Sequence, residues 1–148
     1  MDNITKIKNI LTQSDADFEV VRQEKPILSS QDAIGIYDFE KSAPVFILQA
    51  DGELVAFIKS VSSGKINFAQ LKSLLNCKKL EMAHRGIIEQ QTGFEVGSIP
   101  LVGLNLPAIF DSKLLEYDYV YGGIGDAFVT LKIAPEDVKR NNNIIAIV

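Results

Sequence analysis

Apolar positions recur along this chain at two spacings, helical in some stretches and alternating in others. Ile4, Ile7 and Leu11 fall at helical intervals within residues 3–12, with Ile10 beside them, which predicts an amphipathic helix. Phe18-Glu19-Val20-Val21 reads as a first strand. Ser29-Ser30-Gln31-Asp32 has the makeup of a helix start, with Ala33, Ile34 and Ile36 behind it, before a polar break over residues 40–44.

The clearest local signal follows. Residues 44–50 and 53–60 are rich in β-branched and aromatic side chains, and Asp51-Gly52 separates them. Asp-Gly between two such runs favours a two-residue hairpin, because both central residues need positive φ. That turn sets Ala50 opposite Glu53, Leu48 opposite Val55, Phe46 opposite Phe57 and Pro44 opposite Lys59.

Asn67 can cap a helix through Leu74 and Leu75, with Gln70 at the capping-box position. Residues 79–83 suit a short strand, and residues 84–92 a helix closed by Gly93. Phe94-Glu95-Val96 begins a strand running into a glycine- and proline-rich stretch, and residues 108–111, 117–121 and 128–133 read as further strands. Pro135 opens a last helix at a position where its missing N–H costs nothing. Helices and strands interspersed in this way predict a mixed sheet in an α/β or α+β domain. The length of 148 residues fits one domain, spanning 1–148.

Composition narrows the class. Apolar residues make up 47% of the chain, enough for a core without metal or disulfide staples. One cysteine excludes an internal disulfide framework and leaves zinc almost without soft ligands. Neither a metal nor a cofactor is expected. The longest apolar runs, at 45–48, 55–58 and 144–148, are too short to span a membrane, and residues 1–10 carry no apolar leader stretch. The expectation is a soluble, cytoplasmic monomer or small homo-oligomer.

The net charge is −4, but the middle of the chain departs from it. Residues 59–85 carry six basic side chains against Glu81 alone, whereas both flanks are acidic. A basic segment in an acidic chain fits contact with phosphates, and equally a solvated lysine-rich helix face.

Common catalytic signatures are missing: no Walker loop, GxGxxG, HExxH, CxxC or GxSxG. A Cys–His pair would have to join Cys77 to His84, on different elements, and packing and surface roles suit these two residues better. Two glycine-rich stretches remain, residues 92–103 and 121–126. Each can be a tight turn or a loop where a ligand reaches bare backbone N–H groups.

Taken in order, the hairpin, Lys78–Ala83 as KKLEMA, residues 92–103 as TGFEVGSIPLVG and residues 119–138 as YVYGGIGDAFVTLKIAPEDV resemble the YbaK/prolyl-tRNA-synthetase-associated editing family. The resemblance runs over nearly the whole chain, most clearly from about residue 44 to 140. It implies a compact domain with a curled, mostly antiparallel mixed sheet of six to seven strands surrounded by helices. It also implies trans-editing: hydrolysis of the ester of a tRNA mischarged with a small amino acid of Cys, Ala or Ser type, on tRNA-Pro as one candidate, with a substrate ribose hydroxyl assisting. The alternative is a module that binds aminoacyl-tRNA, amino acid or synthetase without cleaving. The partner implied is the tRNA 3′ acceptor end, together with an aminoacyl-tRNA synthetase in some settings.

The resemblance also assigns residues. Gly97, Ser98, Ile99 and Pro100 would form the catalytic loop, and Pro44, Phe46, Leu101, Gly103, Gly122, Gly123, Gly125 and Asp126 the substrate-binding walls. Asp126 would meet the substrate's α-ammonium or cap its own turn. Lys65, Lys72, Lys78, Lys79 and Arg85 would contact tRNA. Most characterised members carry a lysine at the start of the first hairpin strand, where this chain has Pro44. The family loop also has its proline four residues after the glycine, where this chain has Leu101 and carries Pro100 one place earlier. The hairpin register offers Lys59 as the replacement, directly across from Pro44, with a solvated strand-end lysine as the bland reading.

Overall fold

The computed structural model describes residues 2–148. The chain runs α1 (Asn3–Gln13), β1 (Phe18–Arg22), β2 (Val45–Ala50), β3 (Glu53–Ile58), α2 (Phe68–Leu75), β4 (Leu80–Met82), α3 (Arg85–Thr92), β5 (Pro107–Phe110), β6 (Val120–Gly122), β7 (Val129–Ile133), α4 (Pro135–Arg140) and β8 (Asn143–Ile147). The eight strands form two sheets, β1-β7-β6 and β4-β2-β3-β5-β8. The mixed α+β character and the predominance of antiparallel pairs match expectation. The strands number eight, and neither sheet closes on itself. β3–β5 and β5–β8 are the parallel pairs.

Local chemistry explains the element ends. Asp2 caps α1 by accepting the Thr5 amide at 2.7 Å. Asn67 caps α2 through the Gln70 amide at 3.0 Å. Gly93, at φ 77°, closes α3 in the left-handed conformation. Asp51, at φ 49°, and Gly52, at φ 90°, make the hairpin turn, and the register is the one the turn dictates, Leu48 with Val55 and Phe46 with Phe57.

The five-stranded sheet is buried on both faces. Ile47, Ala56, Ile58 and Phe110 face the main core, which they share with α1 and with Leu131 and Ile133 of the three-stranded sheet. Leu48, Val55, Phe57 and Ile109 face the other way, onto Leu71 of α2. The hairpin therefore reads as a continuous apolar run instead of an alternating one. Each of its large side chains contributes roughly 1.5–3 kcal/mol by burial.

Three segments differ from the sequence expectations. The helix expected after Ser29 is a single 3-10 turn, Ser30–Ala33, with Gly35 at φ 88° just beyond it. Phe94–Val96 forms no strand, because the backbone turns at Gly97 with φ 100°. β8 is an additional strand, docked in parallel on β5 at the sheet edge. Among the described residues, no helix is long and apolar enough to cross a membrane.

Candidate active site

A cleft of about 300 Å³ lies where four stretches of chain meet. Ser42 to Phe46, leading into β2, forms one wall, and Val96, Gly97 and Ile99 form the second. The third comprises Tyr121 to Gly123 with Asp126, Val129 and Thr130. Ile27, Leu28, Ser29 and Tyr37 lie over them as a strap. Among the described residues, no lysine, arginine or histidine lines the cleft.

Backbone contacts hold the walls at fixed spacing. The Ala43 amide donates to Tyr121 O at 2.8 Å, and the Leu101 amide to Gly123 O at 3.0 Å. β6 and its extension thus lie between the other two walls. This closeness requires glycine. A Cβ on Gly123 would stand 2.3 Å from Ile99 O, and one on Gly97 would stand 2.3 Å from Leu28 O of the strap. The strap is tied down in turn by the Ile27 amide, which donates to Ala127 O at 2.7 Å.

Tyr37 and Tyr121 stack with ring centroids 4.3 Å apart and planes 16° from parallel. Burial pushes the Tyr37 phenol above its ordinary value, against a smaller opposite effect of its hydrogen bond with Ser42. It therefore stays protonated at neutral pH. Asp126 uses Oδ1 to accept the Phe128 amide at 2.8 Å while still lining the cleft. It is a turn cap and a cleft carboxylate at once. Thr130, 3% exposed, donates its hydroxyl to Gln23 Oε1 at 3.1 Å, and Gln23 Nε2 donates to Ala127 O at 2.9 Å.

The aminoacyl-tRNA editing domain family matches residues 38–140, which contain every wall of the cleft except the strap. The chain belongs to the aminoacyl-tRNA editing domain family. A stretch of 75 residues is 42% identical to proline--tRNA ligase from Geobacter metallireducens, taking in 50% of this chain and 13% of the ligase. Another match, 33% identical over 89 residues, is to 3-hydroxy-3-methylglutaryl-coenzyme A reductase 2 of Solanum lycopersicum, with 60% of this chain and 14% of the reductase. The chain thus spans a small part of the length of these curated relatives. The fold is also that of a solved protein described as "a putative trans-editing enzyme for prolyl tRNA synthetase", at a TM-score of 0.82 and 18% identity over 99% of this chain and 95% of that one.

The editing domain gathers some of the expected site residues and leaves others outside. Pro44, Phe46, Gly97, Ile99, Gly122, Gly123 and Asp126 line the cleft. Ser98, Pro100, Leu101, Gly103 and Gly125 do not. Ser98 Oγ donates back to Glu95 O at 3.3 Å, and Pro100 bridges to Gly123. Leu101 packs against Gly122, Gly103 against Ile7 of α1, and Gly125 against Phe94. These residues pack outside the cleft lining.

Lys59 sits across from Pro44, its amide donating to Pro44 O at 3.0 Å. Its side chain is not in the cleft lining. The ammonium donates to Ser60 O at 2.9 Å, near the Asp111 carboxylate. Lys59 is 5% exposed, and burial pulls its pKa down while the Asp111 charge opposes the shift. Lys41, the other lysine near Pro44 in sequence, is paired with Asp118 at 2.9 Å.

Lys65, Lys72, Lys78, Lys79 and Arg85 are all exposed. The Lys78 and Lys79 amides both donate to the Asp51 carboxylate, and the Lys72 charge acts on the same group. The basic surface at the hairpin turn is made by Lys72, Lys78 and Lys79, at the end of β2 away from Pro44, whereas Lys65 and Arg85 follow the opposite ends of β3 and β4. A strand of this length puts the turn about 20 Å from the cleft.

Sequence pattern alone does not single out Tyr37, Gln23, Thr130 or the strap as site residues. Tyr37 and Gln23 carry no local signal, since their partners come from β6 and β7. Thr130 had one: it stands on the polar side of the alternating Val129-Thr130-Leu131-Lys132-Ile133 pattern, yet it is buried.

Proposed function

We propose that this editing domain is a trans-acting aminoacyl-tRNA deacylase. It would hydrolyse the ester joining a small amino acid, of Cys, Ala or Ser type, to the 3′-terminal adenosine of a tRNA, with tRNA-Pro as the first candidate. One observation carries the reading. Gly97 and Ile99 line the cleft, and their amides have no acceptor among the described residues. An activated ester needs chiefly a positioned water and hydrogen-bond donors where negative charge develops. Two free amides on a loop clamped by Gly123 and Leu28 can provide those donors. A cleft of about 300 Å³ is at the lower end of small-molecule sites and favours a small acyl group. A ribose hydroxyl of the substrate would help to position the attacking water. In this reading residues 1–148 work as one cytoplasmic editing unit, with the tRNA acceptor end as partner and a synthetase as docking platform.

A second reading is favoured by one feature, Pro44 at the cleft where the family lysine stands. It is a non-catalytic module that holds the charged 3′ end, the amino acid or a synthetase. Losing a hydrogen bond to a charged group removes about 1.5–3 kcal/mol, which separates a working enzyme from a slow one. Single-turnover loss of the ester from tRNAs charged with Ala, Cys, Ser, Thr and Pro distinguishes the two readings. Hydrolysis of one species supports the deacylase. Salt-sensitive binding without hydrolysis supports the module.

A further inference from the structure

The hydroxyl of Thr130 has a fixed polarity. Gln23 Nε2 points at Ala127 O, and the reversed amide would set two acceptors against each other. Gln23 Oε1 therefore faces Thr130 and takes its hydroxyl proton. With that proton committed, a lone pair is what the Thr130 oxygen has left for a ligand. Register carries the side chain away from the core, because Leu131 and Ile133 take the opposite face of β7. Asp126, on the same wall, has one oxygen on the Phe128 amide and keeps Oδ2 for a ligand. Two acceptors thus share one wall of a cleft whose lining has no cationic side chain. The free amides of Gly97 and Ile99 lie on the facing wall.

We infer that Thr130, held as an acceptor by Gln23, and Asp126 together form the recognition point for the substrate's free α-ammonium, so that the domain accepts aminoacyl groups and excludes N-acylated ones. The inference rests on the editing reading for its substrate and adds a chemical requirement to it. With the carbonyl oxygen on the Gly97 loop and the ammonium on Asp126 and Thr130, the acyl group is fixed at two points of opposite polarity. An N-acyl group removes the positive charge and two of the three N–H donors. It leaves the buried Thr130 oxygen and the Asp126 charge facing an uncharged amide, an arrangement that desolvation penalises.

Two measurements test this, and they fail separately from the deacylase reading. In the first, alaninamide and N-acetylalaninamide are titrated into the intact protein, with amide resonances as the readout. Alaninamide is expected to shift the resonances of residues 126–130, and N-acetylalaninamide to leave them in place. Thr130→Val should weaken alaninamide binding about tenfold, equivalent to 1.4 kcal/mol. Gln23→Met, which releases the hydroxyl to rotate, should weaken it less and serves as the second variant if Thr130→Val does not fold. Equal binding of the two amides, loss of both on Thr130→Val, or no response to alaninamide would overturn the inference. In the second, whichever charged tRNA is hydrolysed is compared with its N-acetyl form. Hydrolysis of both at one rate would overturn the inference while leaving the deacylase intact. Ammonium-selective binding without hydrolysis would do the reverse.

Discussion

The backbone amide of Lys59 donates to the carbonyl of Pro44 at 3.0 Å, yet the Lys59 ammonium turns to the Ser60 carbonyl and leaves the cleft to the proline. The two residues are neighbours in register, but only Pro44 lines the cleft. Lys59→Met should therefore leave single-turnover hydrolysis unchanged in protein that melts as a folded domain. A fall in rate at unchanged melting temperature would bring the lysine into the chemistry. Pro44→Lys places a cation at the cleft itself. It should raise hydrolysis about tenfold if a charged contact of roughly 1.5 kcal/mol is gained in the transition state.

Two glycines should respond to alanine in opposite ways. Gly123→Ala puts a Cβ 2.3 Å from Ile99 O, with fixed backbone on both sides, and should cost about 1–3 kcal/mol while spreading the cleft walls. Gly86, in the first turn of α3, has nothing within 4 Å of an added Cβ. Gly86→Ala should stabilise by about 0.4–1 kcal/mol. Denaturant melts of the two variants beside the parent check both signs.

Asp51 links the hairpin turn to the strand that follows α2. Backbone hydrogen bonds from Lys78, then Lys79, hold its carboxyl below the ordinary value of 3.8. A lowered folded-state pKa means that the stabilisation is present above that value and is lost as pH falls through the folded one. Asp51→Asn keeps a residue that tolerates positive φ and removes the charge. The variant should melt below the parent at pH 7, and the gap should narrow as pH drops under 3.8.

The basic surface around that turn lies about 20 Å along the hairpin from the cleft, too far to touch the ester. Its contribution should be to tRNA affinity alone. Replacing Lys72 and Lys78 with Gln should weaken tRNA binding and flatten its dependence on salt by about one to two units of slope. Hydrolysis of a minimal substrate, the aminoacyl ester of adenosine, should be unaffected. A loss on the minimal substrate would place these lysines in the site.

How much could be read from the sequence depended on how local the signal was. Asp51-Gly52 dictated the hairpin and its register to the residue, because the turn type leaves one pairing. The caps at Asn67 and Gly93 were equally local. Phe94-Glu95-Val96 had strand-forming residues but bends into the loop that glycine permits at φ 100°. β8 escaped notice because its pairing with β5 crosses the intervening β6, β7 and α4. The glycine walls of the cleft stood out as composition. Their partners did not: Tyr37 on Tyr121, Leu28 over Gly97 and Gln23 on Thr130 are contacts between stretches far apart in the chain.

The central claim is that this cleft breaks an aminoacyl ester. Its most direct test is the single-turnover rate of ester loss from a panel of charged tRNAs, measured at high enzyme against the spontaneous rate. The account predicts that a tRNA carrying a small, mismatched amino acid is cleared well above background while correctly charged Pro-tRNA is spared. Loss at the spontaneous rate for every member of the panel would contradict it.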